Sequence, residues 1–253
     1  MSLQNEIYRV EKTKWDDIAR QATDIANIGP YRDFIDYASR ASTMTGIADF
    51  LDPLADKQVL EIGCGLGQLT TLLAMSGAKV TAFDLSPQSV DVAQQRVTLN
   101  SMTEHVNLAV AAGEILPFPS ESFDVVFGKG VLHHLNAEYG APEILRVLKS
   151  GGKAAFSEPM GTNPLLSFVR AYIPYPHKHP RGADRPLTYD AIHRWGANYK
   201  VFNYREIQFL SMLERGLRKR RPLTVLRRLD GVLLEHFPFL RRFCRYVVLT
   251  MVK

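Results

Sequence analysis

From Lys57 onward, short apolar runs alternate with segments whose apolar residues recur at helical spacing. The runs cover 59–62, 80–83, 106–110, 124–127 and 153–157, and each ends in turn residues. Between them, 68–75, 87–99, 131–135 and 142–148 read as helices. Ser86 is placed to cap one that starts at Pro87, where the missing N–H costs nothing. Strands and helices alternating at this spacing predict a parallel sheet with right-handed crossovers, whose ligands sit outside the carboxyl ends of the strands.

Upstream, Tyr8, Trp15, Ile18 and Ile25, then Tyr31, Phe34, Ile35 and Tyr37, predict two or three short helices broken at Gly29 and Pro30. Downstream, residues 158–195 are rich in Pro, Tyr and His and weakly periodic, which predicts an irregular insertion over the carboxyl edge of the sheet. Residues 202–213 fit a strand, 222–237 an amphipathic helix and 245–252 a last strand. The expected fold is α/β: a Rossmann-like, doubly wound, mostly parallel seven-stranded sheet in one domain over 1–253. Within it, 1–50 form a helical cap, 51–159 a cofactor-binding core, 160–198 a substrate-side insertion and 199–253 the C-terminal strands and basic helix.

Composition adds an ordinary folded chain of 253 residues, 46% apolar and 23% charged, which excludes disordered, collagen-like and disulfide-stapled classes. No run approaches the ~18 apolar residues of a membrane span, and charges stand where a signal peptide has its apolar stretch. The expected location is the cytoplasm, where Cys64 and Cys244 stay thiols. The net charge of +5 is uneven: residues 211–253 hold 11 basic and 3 acidic side chains, while 1–210 hold 20 and 23.

The most informative stretch is VLEIGCGLG at 59–67. A buried strand runs into glycines that let the backbone turn tightly and approach a ligand, ahead of a helix N-terminus. Gln68 stands where a dinucleotide fingerprint has its third glycine, and no Lys-Ser/Thr pair follows as in a phosphate cradle. A nucleoside without phosphates fits better. Asp84 closes the second strand, where a carboxylate can accept from both ribose hydroxyls.

The segment from about Leu51 to Pro159 resembles the core of the class I S-adenosylmethionine-dependent methyltransferases, and within them the small-molecule branch of the ubiquinone and menaquinone type. Four motifs agree in order and spacing: VLEIGCGLG (59–67), FDLS (83–86), ILPFPSESFDVVFGKGVLHHL (115–135) and RVLKSGG (146–152), the last with Ser150 where proline is usual. The resemblance implies S-adenosyl-L-methionine as cofactor and S-adenosyl-L-homocysteine as its product. It implies that Glu61, Gly63 and Gly65, with Cys64 between them, hold the amino-acid end, that Asp84 holds the ribose and Leu85 flanks adenine, and that the backbone near Gly128 meets the methionine ammonium. Ala112 occupies the position of the family's adenine-binding aspartate, so adenine recognition falls to backbone at Gly113, to Glu114 or to apolar contact.

His133 and His134 follow the fourth strand, at the edge where a methyl group would be presented. Neighbouring helical residues point about 100° apart, so at most one faces the substrate; His134 is favoured as a base, against both being packing residues. Lys129, Tyr172, Tyr175, His177 and His179 are further candidates, and no metal site is expected, because nothing is spaced to complete His177 and His179 as one. The expected reaction is methyl transfer to a small molecule, with oxygen favoured as acceptor and carbon or nitrogen compatible with the same cofactor site.

Two alternatives stand beside it. A nucleic-acid methyltransferase would use the same fold, but Gly128-Lys129-Gly130-Val131 lacks the Asn/Asp-Pro-Pro-aromatic motif of enzymes that methylate flipped adenine. A non-catalytic binding protein would not need the near-intact glycine loop. The basic C-terminus is either a solvated face or an anion-seeking surface that makes peripheral contact with an anionic membrane.

Overall fold

A computed structural model of the chain describes residues 3–172, 185–214 and 224–253. Its strands are β1 (Gln58–Ile62), β2 (Lys79–Asp84), β3 (Val106–Val110), β4 (Phe123–Lys129), β5 (Leu148–Pro159), β6 (Val201–Ile207) and β7 (Tyr246–Val252). They form one sheet in the order β3-β2-β1-β4-β5-β7-β6. β1 to β5 pair in parallel, and β7 inserts antiparallel between β5 and β6. The strand order reverses at β1 and β4, so a crevice opens between their carboxyl ends.

Helices cover both faces: α1 (Leu3–Arg20), α2 (Phe34–Arg40), α3 (Ile47–Leu51), α4 (Gln68–Met75), α5 (Pro87–Leu99), α6 (Ala137–Val147), α7 (Pro164–Tyr172), α8 (Tyr189–Gly196) and α9 (Thr224–His236). Alternation along β1 explains the two cores. Val59 joins Phe34, Leu72 and Ala93 on one face, while Leu60 and Ile62 join Ile144, Ile192 and Trp195 on the other. Ser86 caps α5 by accepting from Ser89 N–H, with Pro87 in first position.

β6 ends at Ile207, short of the expected 213, α9 ends at His236, and 164–172 and 189–196 are helical where the pattern predicts irregular chain. The first of these buries no residue, which explains its faint signal, while α8 packs on α6 and β6. Its Trp195 leaves no room for a side chain at position 140: a Cβ on Gly140 would lie 2.9 Å from the indole. Cys64 and Cys244 are buried free thiols. No helix among the described residues is long and apolar enough to cross a membrane.

Candidate active site

The glycine loop is held from below by β2, whose Phe83 carbonyl accepts from both Gly63 and Cys64 N–H at 3.0 Å. Gly67 starts α4 at φ +77°, and a Cβ there would lie 2.7 Å from the Cα of Ala93 in α5, so this glycine lets two helices approach. Asp84 faces the loop: its Oδ2 accepts from Gly65 N–H at 2.9 Å and its Oδ1 from Ser86 N–H at 3.0 Å. Burial pushes its carboxyl above the usual range, against the hydrogen bonds from Ser86, Gly65 and Leu85 N–H.

Glu61 lies beneath the loop, 2% exposed, and accepts from Thr70 Oγ1 at 2.6 Å. Burial pushes its carboxyl up to about 8, the Thr70 hydrogen bond opposing and the Asp84 charge adding. Burial likewise raises the Cys64 thiol, so it is no nucleophile at neutral pH.

Over the crevice lies a cavity of ≈ 120 Å³. Its floor is Ile62, Gly63, Phe83, Asp84 and Leu85; its walls are residues 111–113 and 129–131 with His134 and Leu135. Its roof is α1, through Tyr8, Glu11 and Trp15. These occur at i, i+3 and i+7, one face of a helix, and that spacing is the signal by which sequence could have placed them in the site. Tyr8 donates to Glu114, which also accepts from Asn136 N–H at 3.2 Å, and Ser86 Oγ donates to Asp16 of α1 at 2.6 Å.

The 3₁₀ turn Leu132–His134 sends the two histidines to different partners. His133 Nδ1 lies 2.7 Å from Glu158 Oε2, and Glu158 Oε1 accepts from Val131 and Leu132 N–H at 2.9 and 3.0 Å. Fully buried Glu158, which sequence reasoning missed, thereby fixes the turn. His134 lines the cavity, its ring centroid 3.9 Å from that of His133 and its Nδ1 3.7 Å from Glu11 Oε2. Lys129 also lines it and donates from Nζ to Tyr37 Oη at 2.8 Å.

Of the residues singled out in the sequence, Gly63, Asp84, Leu85, Ala112, Gly113, Lys129 and His134 therefore meet at one cavity. Glu61, Cys64, Gly65, Glu114, Gly128 and His133 stand outside its lining: Glu61 under α4, Glu114 on Tyr8, and Gly128 packed so closely that a Cβ would lie 2.7 Å from Val131 Cγ1. Tyr172 is exposed on α7, and Tyr175, His177 and His179 lie outside the described residues.

Residues 60–156 match the model of a methyltransferase domain. A demethylmenaquinone methyltransferase of Clavibacter sepedonicus is 33% identical over 54% of this chain and 53% of its own length. A ubiquinone/menaquinone biosynthesis C-methyltransferase of Geotalea daltonii is 30% identical over 40% of this chain and 45% of its own. The chain thus spans about half the length of the curated relatives it matches. Among solved structures, a geranyl diphosphate C-methyltransferase of Streptomyces coelicolor superposes with TM-score 0.61 at 17% identity, over 81% of this chain and 76% of that one. A [4+2]-cyclase superposes with TM-score 0.59 at 16% identity, over 98% and 94%. This fold therefore hosts more than one reaction, and residues of the site must carry the functional argument.

Proposed function

We propose that this chain, whose core is the domain of the class I S-adenosylmethionine-dependent methyltransferases, binds that cofactor under α1 and methylates a small hydroxyl-bearing acceptor. The observation that carries the reading is Asp84, a carboxylate in the floor of an otherwise largely apolar slot, anchored by the glycine loop itself.

The residues present fit the cofactor. Asp84 accepts from the ribose hydroxyls, and Phe83, Leu85, Ala111, Ala112 and Leu135 offer an apolar slot for adenine. Backbone around Gly63 serves the amino-acid end. Glu61 acts from behind, tying α4 to β1 through Thr70. Bound there, the cofactor supplies a sulfonium methyl that is electrophilic without further activation.

What the protein adds is alignment, exclusion of water and removal of a proton. A phenol ionises near pH 10, so its ionisation at pH 7 costs roughly 4 kcal/mol. His134, which lines the cavity with Nδ1 3.7 Å from Glu11 Oε2, is the base for the acceptor hydroxyl. It takes the proton as the oxygen attacks, and the Glu11 carboxylate balances the imidazolium that forms. The cavity is smaller than the ~300 Å³ of an ordinary ligand site, because α1 projects into it. Tyr8, Glu11 and Trp15 must therefore retreat for a nucleoside to enter, and their return closes the site.

A second reading puts carbon in place of oxygen, favoured by the names of relatives that are C-methyltransferases. The same proton removal activates the ring carbon beside a phenolate. Incubation with methyl-¹³C cofactor and a panel of phenols, hydroquinones and alcohols separates the two, because O-methyl and C-methyl carbons resonate far apart. The expected product is an O-methyl ether. A C-methyl product selects the second reading, and cofactor binding without label transfer across the panel removes methyl transfer to hydroxyl-bearing acceptors.

A further inference from the structure

One group of exposed apolar residues among the described residues lies at the carboxyl edge of the sheet. Helix α7 has no buried residue; Leu165 and Phe168 are 63% and 57% exposed, Tyr172 is exposed too, and the helix has no acidic side chain. Beside it runs the 3₁₀ segment Pro238–Phe243, where Phe239 is 66% exposed and again no acid occurs. The turn that leads into α7 is bound to it: Thr162 Oγ1 donates to the Arg242 carbonyl at 2.8 Å and Asn163 Nδ2 to the Phe243 carbonyl at 2.6 Å. Scattered exposed apolar residues need no explanation, but aromatics on two joined elements that both lack acids do.

Their charge points to the partner. Arg241 spends its Nε on the Leu234 carbonyl and Arg242 stacks on Phe243, so neither guanidinium is ion-paired among the described residues. Helix α9 adds exposed apolar residues, Val225, Leu229 and Val232, with Arg228 beside them, and its exposed Glu235 makes it the less basic neighbour of the patch. The stripe of the expected amphipathic helix is divided: Leu226 and Leu233 are half-buried, while Leu229 and Phe237 are exposed. Apolar rings interleaved with unpaired arginines are the surface that inserts shallowly into an anionic lipid interface.

Topology gives the position its meaning. Residues 160–163 leave the carboxyl end of β5, and 237–245 lead into β7 opposite that end, where Pro159 pairs with Tyr246. The candidate active site opens at this same edge. We infer that α7 and the 237–243 segment form a docking surface for an anionic membrane, holding the site's edge of the sheet toward the bilayer. For the substrate this means an acceptor that partitions into lipid, a corollary that rests on the methyl-transfer reading; the docking itself does not.

Sedimentation with vesicles tests it on the full chain without cofactor. Vesicles of phosphatidylcholine with one quarter phosphatidylglycerol should carry down at least ten times more protein than pure phosphatidylcholine at low salt, and less as salt rises toward 150 mM. Two exposed double variants, F168S with F239S and R241E with R242E, should each lose that binding while melting like the wild type. Equal, negligible sedimentation with both vesicles overturns the inference. So does binding that both variants retain, or a vesicle-free dimer that F168S with F239S dissolves, which would assign the patch to a second copy of the chain. Cofactor affinity measured alongside keeps the active-site reading separate.

Discussion

Glu11 Oε2 of the first helix lies 3.7 Å from His134 Nδ1 across the roof of the cavity, with both side chains largely buried. Each alone is an ordinary residue; in the proposed reaction they act together as a base and its counter-charge, a pairing that requires α1 in its docked position. Glu11→Gln should lower kcat roughly tenfold or more with KM for the cofactor little changed, because the charge matters only once the imidazolium forms. His134→Ala should cost about 10²- to 10⁴-fold. In the His134→Ala background Glu11→Gln should cost nothing further; additive losses would show that Glu11 acts elsewhere.

Glu61 gives the ligand-free protein a distinctive pH dependence. Its carboxyl is raised from an ordinary value near 4.3 to about 8, first by burial. Between these limits the native state holds a proton that the unfolded chain has released, so stability is present at the acid end and is lost as pH rises through 8. Asp84, also raised, acts in the same direction. The unfolding free energy from urea titrations should fall from pH 5 to pH 8 by the order of a few kcal/mol in wild type. Glu61→Gln, which cannot ionise and still accepts from Thr70, should flatten the slope; an unchanged slope would place the titration elsewhere.

The sheet was legible in the sequence because β1, β2 and β4 are largely buried on both faces and read as apolar runs, interrupted by Glu61 in β1 and Thr81 in β2 and closed by glycine or aspartate. The glycine loop and Asp84 were legible because backbone conformation and ligand chemistry restrict those positions to few residue types. Glu158 was not: its role comes from β5 passing beside the 131–133 turn, a contact that no local pattern encodes. The roof was half legible, since the spacing of Tyr8 and Trp15 predicts a helix but not which surface it covers. The exposure of α9's outer face was not legible for a related reason: apolar residues at helical spacing mark an apolar face without saying whether anything packs on it.

Gly67→Ala tests the close approach of α4 and α5. The new methyl meets Ala93 at under 3 Å, and the backbone sits at φ +77°. Left-handed strain and overpacking together should cost about 2–4 kcal/mol, a loss of several degrees in Tm. Gly151→Ala, also at positive φ but with nothing within 4 Å of the new Cβ, should show the strain alone. Equal losses in the two variants would mean that helix contact contributes nothing.

Asp84 is the residue on which cofactor binding in this cavity depends most directly. Titration calorimetry with S-adenosylhomocysteine on wild type and on Asp84→Asn, each checked for an intact thermal transition, measures it directly. Asn keeps an acceptor for Gly65 N–H but loses the charge toward the ribose, and hydrogen bonds to charged groups are worth about 1.5–3 kcal/mol. Saturable binding to wild type, weakened at least tenfold in Asp84→Asn, is the predicted result. No heat with wild type, or the same affinity in a folded Asp84→Asn, would contradict the assignment of this cavity to the cofactor.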